Sequence, residues 1–581
     1  MRVRSIGGST ILLALLGFVS SRPIAQAEVF EKQVVVSQES HASDVGRDIL
    51  RQGGNAIDAA VATAFALAVT HPAAGNIGGG GFIVAYLAEP GEVVTFDFRE
   101  RAPLTSTAEM YLREDGRLDP RHRAGAWAAG VPGTVRGLGL AHEKHGQLPW
   151  ADLVRPAVRL AREGFPVSET LARSLNSQLH VPDDQDIIAD GSGRGSRLAD
   201  FPESLAAFGK ADGTTWSVGD RLFQPDLAET LQRIAEQGPD EFYTGETARR
   251  IAAYMEAHQG QITLEDLAAY EAKVRPAVSA RFRGLDVYGM GPPSSGGVVV
   301  LLMLKILERY DLKADGPDHP ETLHRITEAM RRAFFIRATE IADPDYVAVP
   351  VDRLLSAPFV NELAETITER ATPSQDLAPF PIAGLAEGEQ TTHLSTLDAE
   401  GNAVALTYTL EQGYGSKAVV AGAGFLLNNE MGDFNLIPAY TDNLGRIGTP
   451  ANRIEPGKRM LSSMSPTIAL DAGKVRLVTG SPGGRTIPNT VLWVVLNVLE
   501  FDLEPRSAVE GLRTHHAWFP DLLMLEGRRD EATLQALQAR GHLTGRLSLQ
   551  GDAHTIVIEP TTGRIHGVAD PRRATSKASG D

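Results

Sequence analysis

The sequence predicts a layered α/β fold, and three observations carry that expectation. Phe82–Tyr86 and Val93–Phe98 read as a pair of strands near the start of the chain. The middle third shows helical periodicity, as in the stripe Leu323, Ile326, Met330 and Phe334 behind Asp318-His-Pro320, a plausible helix start. From residue 391 onward the pattern switches to short alternating strands with Gly, Asn and Asp turns, followed by one apolar helix from Thr490 to Leu499. Strands, helices and a second block of strands fit layers packed on a shared core.

Taken in order, the first 27 residues read as a removable secretion signal. Arg2 and Arg4 supply the positive start, Ile11 to Val19 the apolar run, and Ala25-Gln26-Ala27 the small-x-small cleavage site. That run is too short to span a bilayer. Ser43 to Gln52 then reads as a helix stopped by Gly53-Gly54. Ala56 to Thr70 is apolar but carries Asp58, so it is expected to be a buried helix with Asn55 or Gly54 near its cap. The run Gly75-Asn-Ile-Gly-Gly-Gly-Gly81 lacks the Gly-Lys-Ser/Thr ending of a P-loop and the spacing of a dinucleotide fingerprint. A turn or a close backbone approach is expected there. Ala371 to Glu389 is polar, bears Pro and Gly, and reads as an exposed loop before the strand at 391.

Length and composition narrow the function classes. The 581 residues would suggest roughly four domains of about 150 residues, yet no linker breaks the chain, so one large or two interlocked domains are expected. A formal charge of −17 disfavours nucleic acid and anionic membrane as partners. The basic pairs Arg331-Arg332 and Arg572-Arg573 read as solvated faces or local ion pairs. With no cysteine, an exported chain has neither disulfides nor a thiol nucleophile, which leaves hydroxyls, carboxylates and histidines.

The chemistry concentrates at 391–411. Thr391–Leu397 and Ala403–Thr409 read as a hairpin joined by Asp398-Ala-Glu-Gly-Asn402. Pairing Leu397 with Ala403 places Thr391 opposite Thr409, so two hydroxyls meet on one face. Spacing alone also allows Thr391-Thr392 to be ordinary β-branched strand residues. A threonine hydroxyl needs a base to become a nucleophile. An N-terminal threonine carries its own, an α-amino group with a pKa of roughly 8. Such use demands backbone cleavage between Gln390 and Thr391.

Six segments together resemble the γ-glutamyltransferase (glutathione hydrolase) family over nearly the whole mature length. They are Gln52–Val61, Asp97-Phe-Arg-Glu100, Thr391-Thr-His393, Asn428–Phe434, Pro456–Thr467 and Gly480-Ser-Pro-Gly-Gly484. The resemblance implies a four-layer αββα sandwich of the N-terminal-nucleophile hydrolase type, formed by a large fragment of 28–390 and a small one of 391–581. It implies Thr391 as the residue of self-cleavage and later nucleophile, Thr409 as the hydroxyl that orients it, and Gly483 and Gly484 as oxyanion donors. Arg99, Ser462 and Ser463 would hold the substrate's α-carboxylate, and Glu411, Glu430 and Asp433 its α-ammonium. The implied substrates are glutathione or other γ-glutamyl amides, with water, amino acids or dipeptides as acceptors. No cofactor is implied, and the setting would be secreted or periplasmic.

This chain departs from the family pattern in places. Gly432 stands where many members have an acid, Glu411 where some have Asn, and Ile336 before Arg337 where relatives usually have Asp. Leu444 precedes Gly445 where some relatives carry an aromatic lid residue, and Tyr440 is the nearest aromatic. The histidines do not suggest a metal site: His142 and His145 are one residue too close for the zinc-helix pattern, and His515-His516 are adjacent. His393 is expected to pack or hydrogen-bond. The rival readings are a glutaryl or β-lactam side-chain acylase of the same superfamily and a secreted relative without activity.

Overall fold

The computed structural model describes residues 28–180, 196–377, 391–437 and 449–581. The expected signal, Gln390 and the lid positions Tyr440, Leu444 and Gly445 lie outside the described residues, as does most of the loop before 391.

Two seven-stranded antiparallel sheets form the centre. In chain order their strands are β1 (Glu28–Phe30), β2 (Val34–Ser37), β3 (Gly80–Leu87), β4 (Glu92–Phe98), β5 (Lys273–Arg275), β6 (Val278–Phe282) and β7 (Leu285–Gly289). After residue 390 come β8 (Thr391–Leu397), β9 (Ala403–Thr409), β10 (Thr467–Asp471), β11 (Lys474–Thr479), β12 (His554–Ile558), β13 (Ile565–Ala569) and β14 (Lys577–Gly580). The first sheet runs β14-β2-β8-β9-β3-β4-β5 and the second β1-β13-β12-β11-β10-β7-β6. Both sheets therefore mix strands from before and after residue 390.

Strand periodicity divides the core. On β2 and β3, Val35, Ile83 and Ala85 join a cluster with the helices Ser40–Arg51 and Ala56–Thr70. Val34, Val36, Phe82 and Val84 point the other way, to a cluster with the second sheet and the helices Gly296–Leu307, Pro320–Glu340 and Ile487–Leu499. Successive side chains alternate faces, so each sheet serves two layers at once. The order helix, sheet, sheet, helix is the four-layer sandwich.

Local chemistry explains the elements. The Ala56–Thr70 helix is buried along its whole length and starts with a capping box, Asn55 accepting from the Asp58 N–H and Asp58 from the Asn55 N–H. The first helix begins at Ser40, three residues before the expected start, because Glu39 caps it by accepting from the Ala42 N–H. The last long helix begins at Ile487 because Pro488 fits the first turn of a helix. In the glycine run, a β-carbon on Gly79 would lie 2.0 Å from the carbonyl oxygen of Thr409. The run is a close backbone approach to β9.

Of the two readings of the basic pairs, local ion pairing holds and the solvated face does not. Arg331 and Arg332 are buried, and Glu328 pairs with both along the helix. Arg572 is likewise largely buried and pairs with Glu526 and Asp570. Among the described residues, no helix is long and apolar enough to cross a membrane.

Candidate active site

The hairpin register is the expected one. Thr391 lies opposite Thr409 and Leu397 opposite Ala403. The turn holds itself: Asp398 accepts from the N–H groups of Glu400 and Asn402, and Gly401 takes the positive φ of 88° that the turn requires. Thr391 Oγ1 lies 3.4 Å from Thr409 Oγ1, and the N–H of Glu411 donates to Thr409 Oγ1 at 2.8 Å. Both threonines are almost fully buried.

Thr391, His393 and Ser395 alternate onto the face that meets the second sheet. Ser395 donates to the His554 carbonyl on β12, and the rings of His393 and His554 stack at 6.5 Å. A β-carbon on Gly480 would lie 2.3 Å from the His393 ring, so the turn after β11 leaves from beside the start of β8. That turn reaches Gly483 and Gly484, with φ of 131° and 53°, and opens into the Ile487–Leu499 helix. No acceptor among the described residues takes either glycine's N–H. Two backbone donors at a helix start suit a developing oxyanion. His393 packs, as expected: burial holds its ring well below the usual histidine pKa, and it hydrogen-bonds Thr407 and Ser395.

The charged residues converge, though not in the expected pairing. Arg99 is fully buried and uses all five donor positions: Nε to the Met460 carbonyl, Nη1 to Glu100 and Glu430, Nη2 to Asp433 and the Leu461 carbonyl. Of the three acids assigned to an ammonium, Glu430 and Asp433 thus pair with Arg99 itself. Its backbone contacts place it against the segment that continues into Ser462 and Ser463. Ser462 is fixed by its N–H to the Pro293 carbonyl, and Ser463 Oγ accepts from Arg337 at 2.9 Å. A β-carbon on Gly432 would sit 3.7 Å from the Glu411 carboxyl, so Glu411 lies beside the position left bare by the missing acid.

Three carboxylates surround one guanidinium. Burial pushes Glu430 well above the usual carboxyl range, more than Arg99 pulls it down, and pushes Glu100 up to about 7. Arg99 is raised by Glu430, Asp433 and Glu100 against its own burial. Glu430 Oε2 and Glu100 Oε1 are buried without a hydrogen-bond partner among the described residues.

Sequence reasoning missed two features. Arg337 reaches Ser463 and Ser295 from the Pro320–Glu340 helix; its only signal was a position beside the departure at Ile336. His324, Glu328 and His542 also come together, their ligand atoms within 4.8 Å of one another. No local spacing reveals this, since His542 is distant in sequence. The two rings hydrogen-bond each other at 2.8 Å, and Arg331, Arg332 and the Thr372 N–H engage Glu328. His515 and His516 turn to different partners, Asn489 and Asp521.

Comparison with known proteins decides the family, since the gamma-glutamyltranspeptidase family model matches residues 42–580. The chain belongs to the γ-glutamyltranspeptidase family. Among curated members, it is 41% identical over 549 residues to the glutathione hydrolase proenzyme of Escherichia coli (strain K12), covering 94% of this chain and 91% of that one. Against the glutathione hydrolase proenzyme of Pseudomonas aeruginosa it is 41% identical over 500 residues, 85% of each chain. Among solved structures, the cephalosporin acylase from Bacillus halodurans superposes with a TM-score of 0.83 at 27% identity, covering 98% of this chain and 99% of that one. The Helicobacter pylori gamma-glutamyltranspeptidase gives a TM-score of 0.54 at 38% identity, covering 64% and 97%. This family member thus shares its fold with both transpeptidases and acylases.

Proposed function

We propose that this γ-glutamyltranspeptidase family member is an exported glutathione hydrolase and γ-glutamyltransferase that activates itself by cleavage between Gln390 and Thr391. The observation that carries this reading is Thr391 at the head of β8, directly opposite Thr409, with the turn that leads on to Gly483-Gly484 leaving from beside His393. In the precursor, Thr391 Oγ1 attacks the Gln390 carbonyl, the peptide nitrogen leaves as the new α-amine, and water hydrolyses the ester. The large fragment then ends at Gln390 and the small one begins at Thr391. The N-terminal signal directs the chain to the periplasm or outside the cell.

In the mature enzyme the freed α-amine takes the Oγ1 proton as Thr391 attacks the γ-amide carbonyl. The N–H groups of Gly483 and Gly484 receive the oxyanion. The leaving amine departs protonated, and a γ-glutamyl ester remains on Thr391. Water releases glutamate, or an amino acid or dipeptide amine takes the acyl group.

Substrate binding is an exchange of ion pairs. The amino-acid head brings one carboxylate and one ammonium, so Arg99 trades an acid for the substrate carboxylate while the acids close on the ammonium. Ser462 and Ser463 add hydroxyls to the carboxylate side. Asp433, whose side chain is 31% exposed, is the member placed to move. The acylase reading draws on the Bacillus halodurans structure, but a glutaryl head has no ammonium and would leave Glu430 and Asp433 unmatched.

Mass analysis of purified protein, with a γ-glutamyl anilide assay, tests the proposal. Wild type should give two fragments cut at 390/391 and turn the anilide over, while Thr391→Ala should stay whole and inactive. Cleavage at 390/391 in Thr391→Ala would remove Thr391 as the nucleophile.

A further inference from the structure

Arg337, in the last turn of the Pro320–Glu340 helix, joins two serine-bearing segments. Its Nη2 donates to Ser463 Oγ at 2.9 Å and its Nε to Ser295 Oγ at 3.1 Å. Ser295 stands at the start of the Gly296–Leu307 helix and passes the contact on. Its hydroxyl donates to the Ser462 carbonyl at 2.6 Å, and its N–H to the same oxygen at 2.8 Å. The Ser462 N–H in turn donates to the Pro293 carbonyl at 3.0 Å. One guanidinium therefore reaches both serines of the proposed carboxylate site, just past the Met460 and Leu461 carbonyls that Arg99 holds.

These contacts decide which way the hydroxyl protons face. A guanidinium has donors and no acceptor, so Ser463 Oγ must accept from Arg337 and direct its own O–H elsewhere. Ser295 Oγ likewise accepts from Arg337, and it spends its proton on the Ser462 carbonyl. Ser462 Oγ accepts the Met464 N–H at 3.2 Å, so its proton also points away from the protein contact. Among the described residues, no acceptor takes the proton of Ser462 or Ser463. Both side chains are nearly buried, so little water competes for those protons. Two neighbouring O–H donors match a carboxylate, which only accepts. A carboxamide sets an N–H₂ where the second oxygen would lie, against one of the two donors.

We propose that Arg337 is a positioning residue for the donor's α-carboxylate: by donating to Ser463 it turns that hydroxyl's proton onto the substrate, and through Ser295 it holds Ser462 beside it. The inference rests on the γ-glutamyl-transfer reading and deepens it, since it names the group that makes the serine pair selective for a carboxylate. Arg337 acts through Ser463 and does not itself touch the donor. Without the guanidinium, nothing among the described residues chooses a direction for the Ser463 hydroxyl, and the site loses a pre-aimed donor.

The test uses self-processed enzyme and reads binding apart from turnover. In calorimetric titrations, Arg337→Gln should weaken L-glutamate about tenfold, the loss of one charge-assisted hydrogen bond, and its α-carboxamide by no more than about twofold. With a γ-glutamyl anilide, KM should rise by the same factor of about ten while kcat stays within about twofold. Arg337→Lys keeps the charge without the fork and should recover part of the loss, to about threefold. In a Ser463→Ala background, Arg337→Gln should cost glutamate binding no more than about a further twofold, because the hydroxyl it aims is gone. Should Arg337→Gln fail to process itself, Arg337→Lys carries the same comparisons with its smaller factor. An anilide KM unchanged from wild type would overturn the inference alone. Equal losses on glutamate and its amide, or fully additive losses with Ser463→Ala, would reduce Arg337 to a structural residue and overturn it too. Processed wild type with no turnover of any γ-glutamyl donor would overturn the functional reading and this one with it.

Discussion

Within the Pro320–Glu340 helix, Glu328 lies buried between Arg331 and Arg332; at the candidate site, Arg99 lies buried among Glu100, Glu430 and Asp433. Both clusters bury charge, but their balance differs. Glu328 has two arginines and a backbone N–H, and Asp521 supplies Arg331 with a second acid. Burial would raise the Glu328 carboxyl, yet the two guanidinium groups outweigh it and hold it below the usual range. Around Arg99 the acids outnumber the cation, and burial pushes Glu100 and Glu430 up instead. A saturated buried cluster ties elements together. One with surplus acid costs stability and is ready for a cation from outside.

Breaking the saturated cluster should cost fold. Arg332→Met strands part of Glu328, an effect of about 3–5 kcal/mol. Chemical denaturation of the self-processed enzyme should show that loss, with donor KM unchanged in the folded fraction. A raised KM would mean the two clusters are coupled.

Changing the unsaturated cluster should cost binding instead. Arg99→Lys keeps the charge but loses the planar fork, so donor KM should rise about 10–100-fold, roughly 1.4–3 kcal/mol, while cleavage at 390/391 stays normal. Unchanged KM would take Arg99 out of the pocket.

The smallest effect is a pH signature. Glu100 titrates near 4.5 when exposed and at about 7 in the fold, so the native state holds more proton between those values. Its contribution therefore falls as pH rises from about 4.5 to 7, by up to about 1.4 kcal/mol per unit. Glu100→Gln should flatten the decline of stability over that window, as thermal unfolding at stepped pH would show. A steeper decline would assign the proton elsewhere.

The contrast between the clusters also marks what sequence could convey. The hairpin was legible, down to Thr391 facing Thr409, because its register follows from a five-residue turn between alternating strands. The Ala56–Thr70 helix was legible because its burial is continuous and its cap is local. Arg331-Arg332 left a solvated face and local pairing equally open, because burial is not visible in two adjacent arginines; Glu328 is one helical turn away, but Asp521 is far along the chain. The contacts of Arg99 with Glu430 and Asp433 span more than 300 residues, so family motifs named the residues while local pattern could not pair them. Arg337 and Ser463 lie on segments that only the fold brings together.

The claim at the centre is that acid left over around Arg99 receives the donor's α-ammonium. Its most direct test is the ratio of kcat/KM for γ-glutamyl and glutaryl anilides in self-processed wild type and Asp433→Asn. Removing that charge strands the ammonium and should cost the γ-glutamyl donor about 2–5 kcal/mol, while the glutaryl donor loses little or gains. The ratio should therefore fall by well over tenfold. A processed Asp433→Asn enzyme with the wild-type ratio would contradict the ammonium role and favour an acylase.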